Sequence, residues 1–209
     1  MNGGATVPLA EEPPLAPEDQ ARADFYALLA RLWYAAPDAA LLVAIAGADE
    51  MVVEGERGAF AEAWRRFRAA AAATDPESAA REYDDLFVGT GRARVTLYAT
   101  HYLVKAGAER MLVTLRDDLM ELGLTRTGPT NEPEDHLAAL CEVMRHLVAH
   151  GSSDVALQRQ RLFFTRYILP AYNDLLEQVF ISLGAQFYSE TARLTKAFFD
   201  IESASFEMV

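Results

Sequence analysis

Apolar residues recur along the chain at the spacing of amphipathic helices. After an acidic start at Pro17, Glu18 and Asp19, a first apolar stripe is formed by Phe25, Leu28, Leu29, Leu32 and Trp33. These positions follow the i, i+3, i+4, i+7 pattern that places side chains on one helix face. The pattern predicts a first helix that ends at Pro37, because proline cannot continue the hydrogen-bond ladder of a helix.

The same reasoning predicts three further helices in the first half of the chain. Asp38 is placed to cap a short second helix, and the alanine-rich residues 60–73 predict a third. Residues 74–77, Thr-Asp-Pro-Glu, combine a capping residue with a proline and an acid in the first turn. They predict the start of a fourth helix, which ends near Gly89.

Residues 94–100 are the one ambiguous segment. β-Branched residues alternate there, as is typical of a strand, but the sequence has no second strand-like run to pair with it. We therefore predict an extended loop that leads into a helix over residues 99–122, closed by Gly123.

The second half of the chain is predicted to be helical as well. A helix runs from Glu132 to about Ala149, capped by Asn131 or Thr130, and a later helix is interrupted at Pro170. One or two helices cover residues 172–201, with a bend near Gly184. Successive helices without paired strands predict an all-α, single-domain helical bundle. Residues 1–17 are predicted to be a flexible N-terminal leader, and residues 18–209 the helical domain.

Charge and composition exclude several partners. The 209 residues carry a net charge of −12, so the surface repels nucleic acid and anionic lipid. The acidity either attracts a basic peptide or only keeps the protein soluble. Cys141 is the only cysteine, which excludes an internal disulfide and fits a reducing compartment. Its apolar neighbours on the same helix predict that its side chain is buried. No run resembles a signal peptide or reaches the ~20 apolar residues of a membrane span. We predict a cytoplasmic protein with no nucleic-acid partner and no stable membrane insertion.

Catalytic motifs are missing, and we predict neither an enzyme nor a bound cofactor. No phosphate-binding glycine loop, nucleophile elbow or dinucleotide fingerprint occurs. A di-iron site needs Glu-x-x-His, whereas the pairs that begin at Glu132 and Glu142 are spaced at i, i+4. His136, His146 and His150 share a rough helix face that either binds zinc or is simply solvated. A metal- or small-ligand-binding protein that uses this face is the alternative function.

Two clusters combine carboxylates with other functional groups. Residues 82–89, EYDDLFVG, place aromatic rings beside acids at a helix end, and residues 132–136 read EPEDH. Acids in a first helical turn are stabilised by the helix dipole, so capping explains the second cluster. The alternative is recognition, in which an apolar seat takes a peptide and carboxylates hold its arginines.

Together, the clusters resemble the motifs of the TorD/DmsD/NarJ family of redox-enzyme maturation chaperones. Residues 132–137 match the family's Glu-Pro-x-Asp-His-Leu motif, which is the most specific of the three. Residues 83–89 resemble its aromatic-x-x-Leu-Phe-x-Gly stretch, and residues 97–102 its Pro-Tyr-x-Ser-x-Tyr-like segment. The order and separation of these motifs agree with the family from about residue 20 onward.

The resemblance implies a chaperone for a molybdenum enzyme of the dimethyl-sulfoxide-reductase type. Such a chaperone binds the precursor of the catalytic subunit at its twin-arginine leader and keeps the apoenzyme open for molybdopterin insertion before export. Molybdenum cofactor biosynthesis proteins are expected as further partners. The NarJ branch implies a rival, in which the chaperone binds the mature apoenzyme and not its leader.

The motif residues are assigned roles on this basis. Glu132 and Asp135 are expected to hold the leader arginines, and His136 to supply a hydrogen bond or a pH-sensitive contact. Pro133 is expected to fix the helix start. The apolar seat is predicted to be lined by Tyr83, Leu86, Phe87, Tyr98 and Tyr102.

Overall fold

Ten α-helices follow one another in the computed structural model, which describes residues 15–51, 58–89, 93–103, 108–125, 133–151 and 153–208. The helices are α1 Pro17–Tyr34, α2 Ala39–Gly47, α3 Gly58–Ala73, α4 Pro76–Tyr83, α5 Thr100–Leu103, α6 Ala108–Glu121, α7 Leu137–Ala149, α8 Asp154–Phe163, α9 Leu169–Ile181 and α10 Phe187–Glu207. These residues contain no strand, only an isolated antiparallel bridge between Tyr98 and His136. The predicted all-α bundle is confirmed.

The core lies where α1 packs along α7 and where α10 packs against α3 and α9. Large aromatic side chains fill it because each buries more apolar area than an aliphatic residue does. The aromatic side chains that are at most 2% exposed include Tyr26, Trp33, Phe67, Phe164, Tyr167, Phe187, Tyr188 and Phe199. The predicted inner position of Cys141 is confirmed, since this thiol is fully buried.

A buried polar network ties the first helix to the last. The carboxylate of Glu202, which is 2% exposed, accepts two hydrogen bonds from Arg22 at 2.8 and 2.9 Å and one from Tyr26 at 2.9 Å. Gln160 on α8 accepts from Arg22 as well and donates to the Leu147 carbonyl. Because a buried charge is costly without a partner, this network favours one arrangement of α1, α8 and α10.

Helix ends follow local chemistry at several predicted places. Asp38 and Asp75 cap α2 and α4 by accepting a hydrogen bond from the backbone N–H three residues later. Gly123 closes α6 at φ 72°, with the paired backbone hydrogen bonds of a glycine C-terminal cap. Gly184, at φ 92°, separates α9 from α10, so the predicted last stretch is two helices.

Two predicted helices are modified along their length. Residues 84–88 and 164–168 form π-helical turns, the first between α4 and Gly89 and the second just before Pro170. The predicted helix over residues 99–122 appears as α5 and α6, and residues 104–107 between them lie outside the described residues. So do residues 1–14, most of the predicted leader. No helix in the described ranges is both long and apolar enough to cross a membrane.

The predicted start of the helix over residues 132–149 is wrong. Its described part, α7, begins at Leu137 and is capped by His136, so residues 133–136 form a turn outside the helix. Pro133 therefore does not fix the first helical turn. The reason is tertiary: the backbone on both sides of His136 hydrogen-bonds to the extended segment 97–99. The proposed caps Thr130 and Asn131 lie outside the described residues.

Candidate functional site

The extended segment 93–99 joins the three motif regions. The Val95 N–H donates to the Leu86 carbonyl at 2.9 Å, in the first cluster. The Leu97 carbonyl accepts from the Leu137 N–H at 2.8 Å, at the start of α7. Backbone hydrogen bonds therefore connect the three motif regions, although these are far apart in the sequence.

Asp135 fastens the turn to α5. Its carbonyl accepts from the Ala99 N–H at 2.9 Å, and its carboxylate accepts from the N–H and the hydroxyl of Thr100 at 3.2 and 2.5 Å. The residue is only 2% exposed. In this structure the carboxylate of Asp135 positions the turn and does not face solvent, where a peptide arginine would approach.

His136 caps α7 and carries an aromatic contact. Its Nδ1 accepts from the Ala138 N–H at 3.2 Å, and its own N–H donates to the Pro133 carbonyl at 3.2 Å. Because Nδ1 accepts, the neutral ring carries its proton on Nε2. The Tyr98 ring meets the imidazole edge to face, with centroids 5.4 Å apart. These contacts orient a ring that is 7% exposed.

The first cluster is largely an aromatic part of the core. The Tyr83 hydroxyl donates to the Tyr34 carbonyl at 2.7 Å, and its ring contacts Phe87 and Tyr188 at centroid distances of 5.2 and 5.6 Å. Leu86 is 1% exposed. Leu86 therefore offers no surface to a peptide in this structure, while Tyr83 and Phe87 support the end of α1.

Glu82 has a structural function that the local sequence did not indicate. Its carboxylate accepts backbone hydrogen bonds from Gln186, Phe187 and Tyr188 at 2.8, 3.1 and 2.8 Å. These N–H groups belong to the residue before α10 and to the first two residues of α10, a helix whose own N-cap residue makes no side-chain hydrogen bond. A carboxylate there satisfies unpaired donors and faces the positive end of the helix dipole. The partners lie more than 100 residues away, so no local signal could have found them.

The remaining predicted residues lie in different places. Tyr102 is partly buried, its hydroxyl donates to the Thr96 carbonyl at 2.9 Å, and burial raises its pKa to about 12. It therefore belongs to the support of segment 93–99. Glu132 lies outside the described residues.

A groove of about 530 Å³ opens beside the turn 133–136, between α1, α7 and the end of α6. Tyr34, which is 51% exposed, stands in its wall and was not predicted. The predicted residues Pro133 and His136 also line it. Its apolar surface is formed by Ala30, Leu119, Leu124, Ala138, Ala139 and Val143.

Ion pairs flank this groove. Glu134 pairs with Arg116 at 3.0 Å, and Glu142 pairs with Arg145 at 2.7 Å. Arg31, also in the wall, reaches Asp38 at 3.5 Å. The groove therefore combines an apolar surface with carboxylates that are paired with arginines, and it is not a simple acidic pocket.

The histidines of the predicted face separate into two environments. His146 lines the groove together with His136, and its ring lies 4.0 Å from the exposed His150 ring. Burial lowers the pKa of His146, and the neighbouring His150 and Arg145 lower it further. Within the described ranges, no three His, Cys, Asp or Glu side chains are grouped so that they could hold a metal ion.

A second, larger groove of about 1070 Å³ lies between α3, α9 and α10. None of the motif residues lines it. Its cations Arg66, Arg193 and Lys196 pair with Glu190 and Asp200. Size by itself does not indicate function, so the groove beside residues 133–136 is the candidate site.

Comparisons with known proteins give one finding on the family. Residues 54–175 match the family model described as nitrate reductase delta subunit, and this is more than half of the chain. A comparison with curated proteins gave no match. The matched region contains all three motifs and confirms the predicted place among the redox-enzyme maturation chaperones in its broad form. The chain belongs to the nitrate reductase delta subunit family, whose members assist the maturation of molybdoenzymes and are not themselves enzymes.

Proposed function

We propose that this chaperone acts in the cytoplasm on the precursor of a molybdoenzyme of the dimethyl-sulfoxide-reductase type. It binds the twin-arginine leader of the precursor in the groove beside residues 133–136. While bound, it keeps the apoenzyme open for molybdopterin insertion and delays export until insertion is complete. Molybdenum cofactor biosynthesis proteins are the partners that deliver the cofactor.

One observation carries the proposal. The groove places an apolar wall, to which α7 contributes Ala138, Ala139 and Val143, next to the carboxylates Glu134 and Glu142. A twin-arginine leader has basic residues followed by an apolar stretch, so its two parts match the two parts of the groove. The net charge of −12 adds a general attraction for a basic peptide.

The predicted site residues take different parts in this proposal. His136 and Pro133 line the groove and contact the leader, and Tyr98 holds the imidazole of His136 in place. Asp135 positions the turn through Thr100, so its effect on binding is indirect.

The aromatic residues of the first cluster support the site from behind. Tyr83 and Phe87 pack beneath the end of α1, where Tyr34 reaches the groove. The exposed aromatic ring in contact with the leader is therefore Tyr34, which adds apolar area without a large loss of side-chain freedom.

Titration calorimetry with a leader peptide tests the groove. The probe is a peptide of about 25 residues with two consecutive arginines before an apolar stretch. We expect binding that weakens as salt is raised, because exposed charges are screened. Val143→Asp places a charge in the apolar wall and should weaken binding about tenfold or more.

A matched variant separates this local effect from a general one. Val43→Asp makes the same substitution on α2, where Val43 is 72% exposed and away from the groove. It should bind the peptide as the wild type does. Equal affinities for Val143→Asp and wild type would show that the leader binds elsewhere.

The rival within the family is binding to the mature part of the client. A competition experiment separates the two, with the leader peptide and the leaderless apoenzyme as competitors for the chaperone. We expect the leaderless apoenzyme to bind more weakly than the full precursor. If it binds as tightly and the peptide does not displace it, the mature apoenzyme is the ligand.

A further inference from the structure

We infer that Glu134 and Glu142 receive the two arginines of the client leader, and that Arg116 and Arg145 occupy these carboxylates until the client arrives. This inference rests on the proposed function, since it names the residues that would read the twin arginines. The ion pairs at the groove are then exchange sites, in which a client arginine replaces an arginine of the chaperone.

The geometry gives each carboxylate a suitable place. Glu134 lies in the turn before α7, and Glu142 lies on α7 about 8 Å along the helix axis from Leu137. Both line the groove. Adjacent side chains of an extended peptide point to opposite sides. Two consecutive arginines can therefore extend in different directions toward two separate carboxylates of one groove.

The existing pairs are of a kind that exchanges readily. The side chain of Arg116 is 52% exposed, and in the second pair Arg145 is 45% and Glu142 50% exposed. Ion pairs between exposed side chains contribute little to folding stability because water screens them. Glu134 is more enclosed, at 18% exposure, so a cation that reaches it is held in a less polar setting.

The apolar wall explains why a client arginine would replace Arg116 or Arg145 at these carboxylates. The client brings its apolar stretch into contact with Ala139 and Val143, which line the groove together with the two carboxylates. Arg116 and Arg145 bring no further apolar surface when they pair. The client therefore gains the buried apolar area in addition to the charge contacts, and the released arginines turn to solvent.

Charge variants test the exchange by the direction of their effects on leader affinity, measured by calorimetry with the peptide described above. Glu134→Gln and Glu142→Gln should each weaken binding about tenfold, since a charge-assisted contact becomes a neutral one. Arg116→Gln and Arg145→Gln should each tighten binding, about threefold, because a competitor for the carboxylate has been removed. A peptide with both arginines replaced by glutamine should bind weakly and be insensitive to all four variants.

A matched pair controls for net charge. Glu62 and Arg65 on α3 form an exposed i, i+3 ion pair, as Glu142 and Arg145 do on α7, but lie outside this groove. Glu62→Gln and Arg65→Gln change the net charge by the same amount. We expect both to bind the leader as the wild type does, and thermal unfolding should show that every variant is folded.

The possible results decide the matter. The exchange is overturned if Arg116→Gln and Arg145→Gln weaken binding, since the arginines would then contact the client themselves. It is also overturned if their effect equals that of Arg65→Gln, or if the Glu→Gln variants bind normally. In these cases the wild type still binds the leader, and the proposed function stands. A wild type that binds no leader overturns both.

Discussion

The carboxylate of Asp135 accepts two hydrogen bonds from Thr100, one from its backbone N–H at 3.2 Å and one from its hydroxyl at 2.5 Å. Both residues are buried, at 2% and 6% exposure. This contact holds the most specific motif of the chain to the start of α5. It also turns the acid that was expected to bind arginine toward the interior.

Removing the Thr100 hydroxyl should therefore destabilise the fold. Thr100→Val leaves one buried hydrogen bond of Asp135 unmade and should lower the free energy of unfolding by about 1–3 kcal/mol. Thr100→Ser keeps the hydroxyl and is the control. Urea unfolding measures both variants. A Thr100→Val protein as stable as the Ser variant would show that the hydroxyl bond contributes nothing.

The same variant separates an indirect from a direct effect of Asp135 on leader binding. Thr100 is too buried to touch a peptide, so a loss of leader affinity in folded Thr100→Val would reflect a displaced turn. We expect such a loss in titration calorimetry. If affinity stays the same or rises while Asp135→Ala abolishes binding, Asp135 holds the arginines itself.

Glu82 should stabilise α10 from a distance. Glu82→Ala removes the acceptor for three backbone N–H groups and should cost about 1–2 kcal/mol of unfolding free energy, as the loss of a helix cap does. Glu177→Ala, an exposed acid on α9, is the matched control and should cost much less. Guanidinium unfolding followed by circular dichroism compares them. The cap assignment fails if both variants lose the same stability.

The thiol of Cys141 should be unreactive in the folded protein. It is fully buried, and burial raises its pKa well above the ordinary thiol value. The thiolate is the reactive form, so labelling by a disulfide reagent at pH 8 should be slow until the chain unfolds. In denaturant, one thiol per chain should react. Fast labelling without denaturant would contradict the buried position.

His146 should make stability depend on pH. Its pKa is lowered in the folded state, chiefly by burial and also by His150 and Arg145, so the unfolded chain binds this proton more readily. Stability contributed by the neutral ring is complete above about pH 6.5 and falls as the pH drops below that value. His146→Asn should flatten the change in urea stability between pH 7.5 and pH 5.5.

The lowered pKa of His146 can be measured directly on its imidazole. Proton NMR of the imidazole of His146 should show an apparent pKa below 6.5. An NMR pKa above 6.5 would reverse the sign of the prediction and contradict the burial of this ring.

Several features of the fold follow from local sequence. Apolar spacing predicts α1, α3 and the body of α7, because a helix buries one face whatever its neighbours are. Asp38, Asp75 and Gly123 mark helix ends, because capping depends on hydrogen bonds within a few residues. The all-α class and the buried position of Cys141 could therefore be predicted with no knowledge of the fold.

The candidate site could be predicted only in part. Local sequence drew attention to residues 132–136 and to Pro133 and His136, which do line a groove. It did not predict Tyr34, whose exposure is decided by how α1 packs along α7. Nor could it show that Leu86 would be in the core, since the local sequence does not distinguish an apolar residue that is buried from one that forms a binding surface.

What the sequence by itself determined is most of the helices, several of their ends and the motifs that indicate the family. What only the tertiary structure decided is the role of the acidic residues in and beside those motifs. Asp135 turns inward to Thr100, Glu82 caps a helix more than 100 residues away, and Glu134 pairs with Arg116 at the groove. The physical reason is that a carboxylate acts through its partners, and these partners come from segments that only folding brings together.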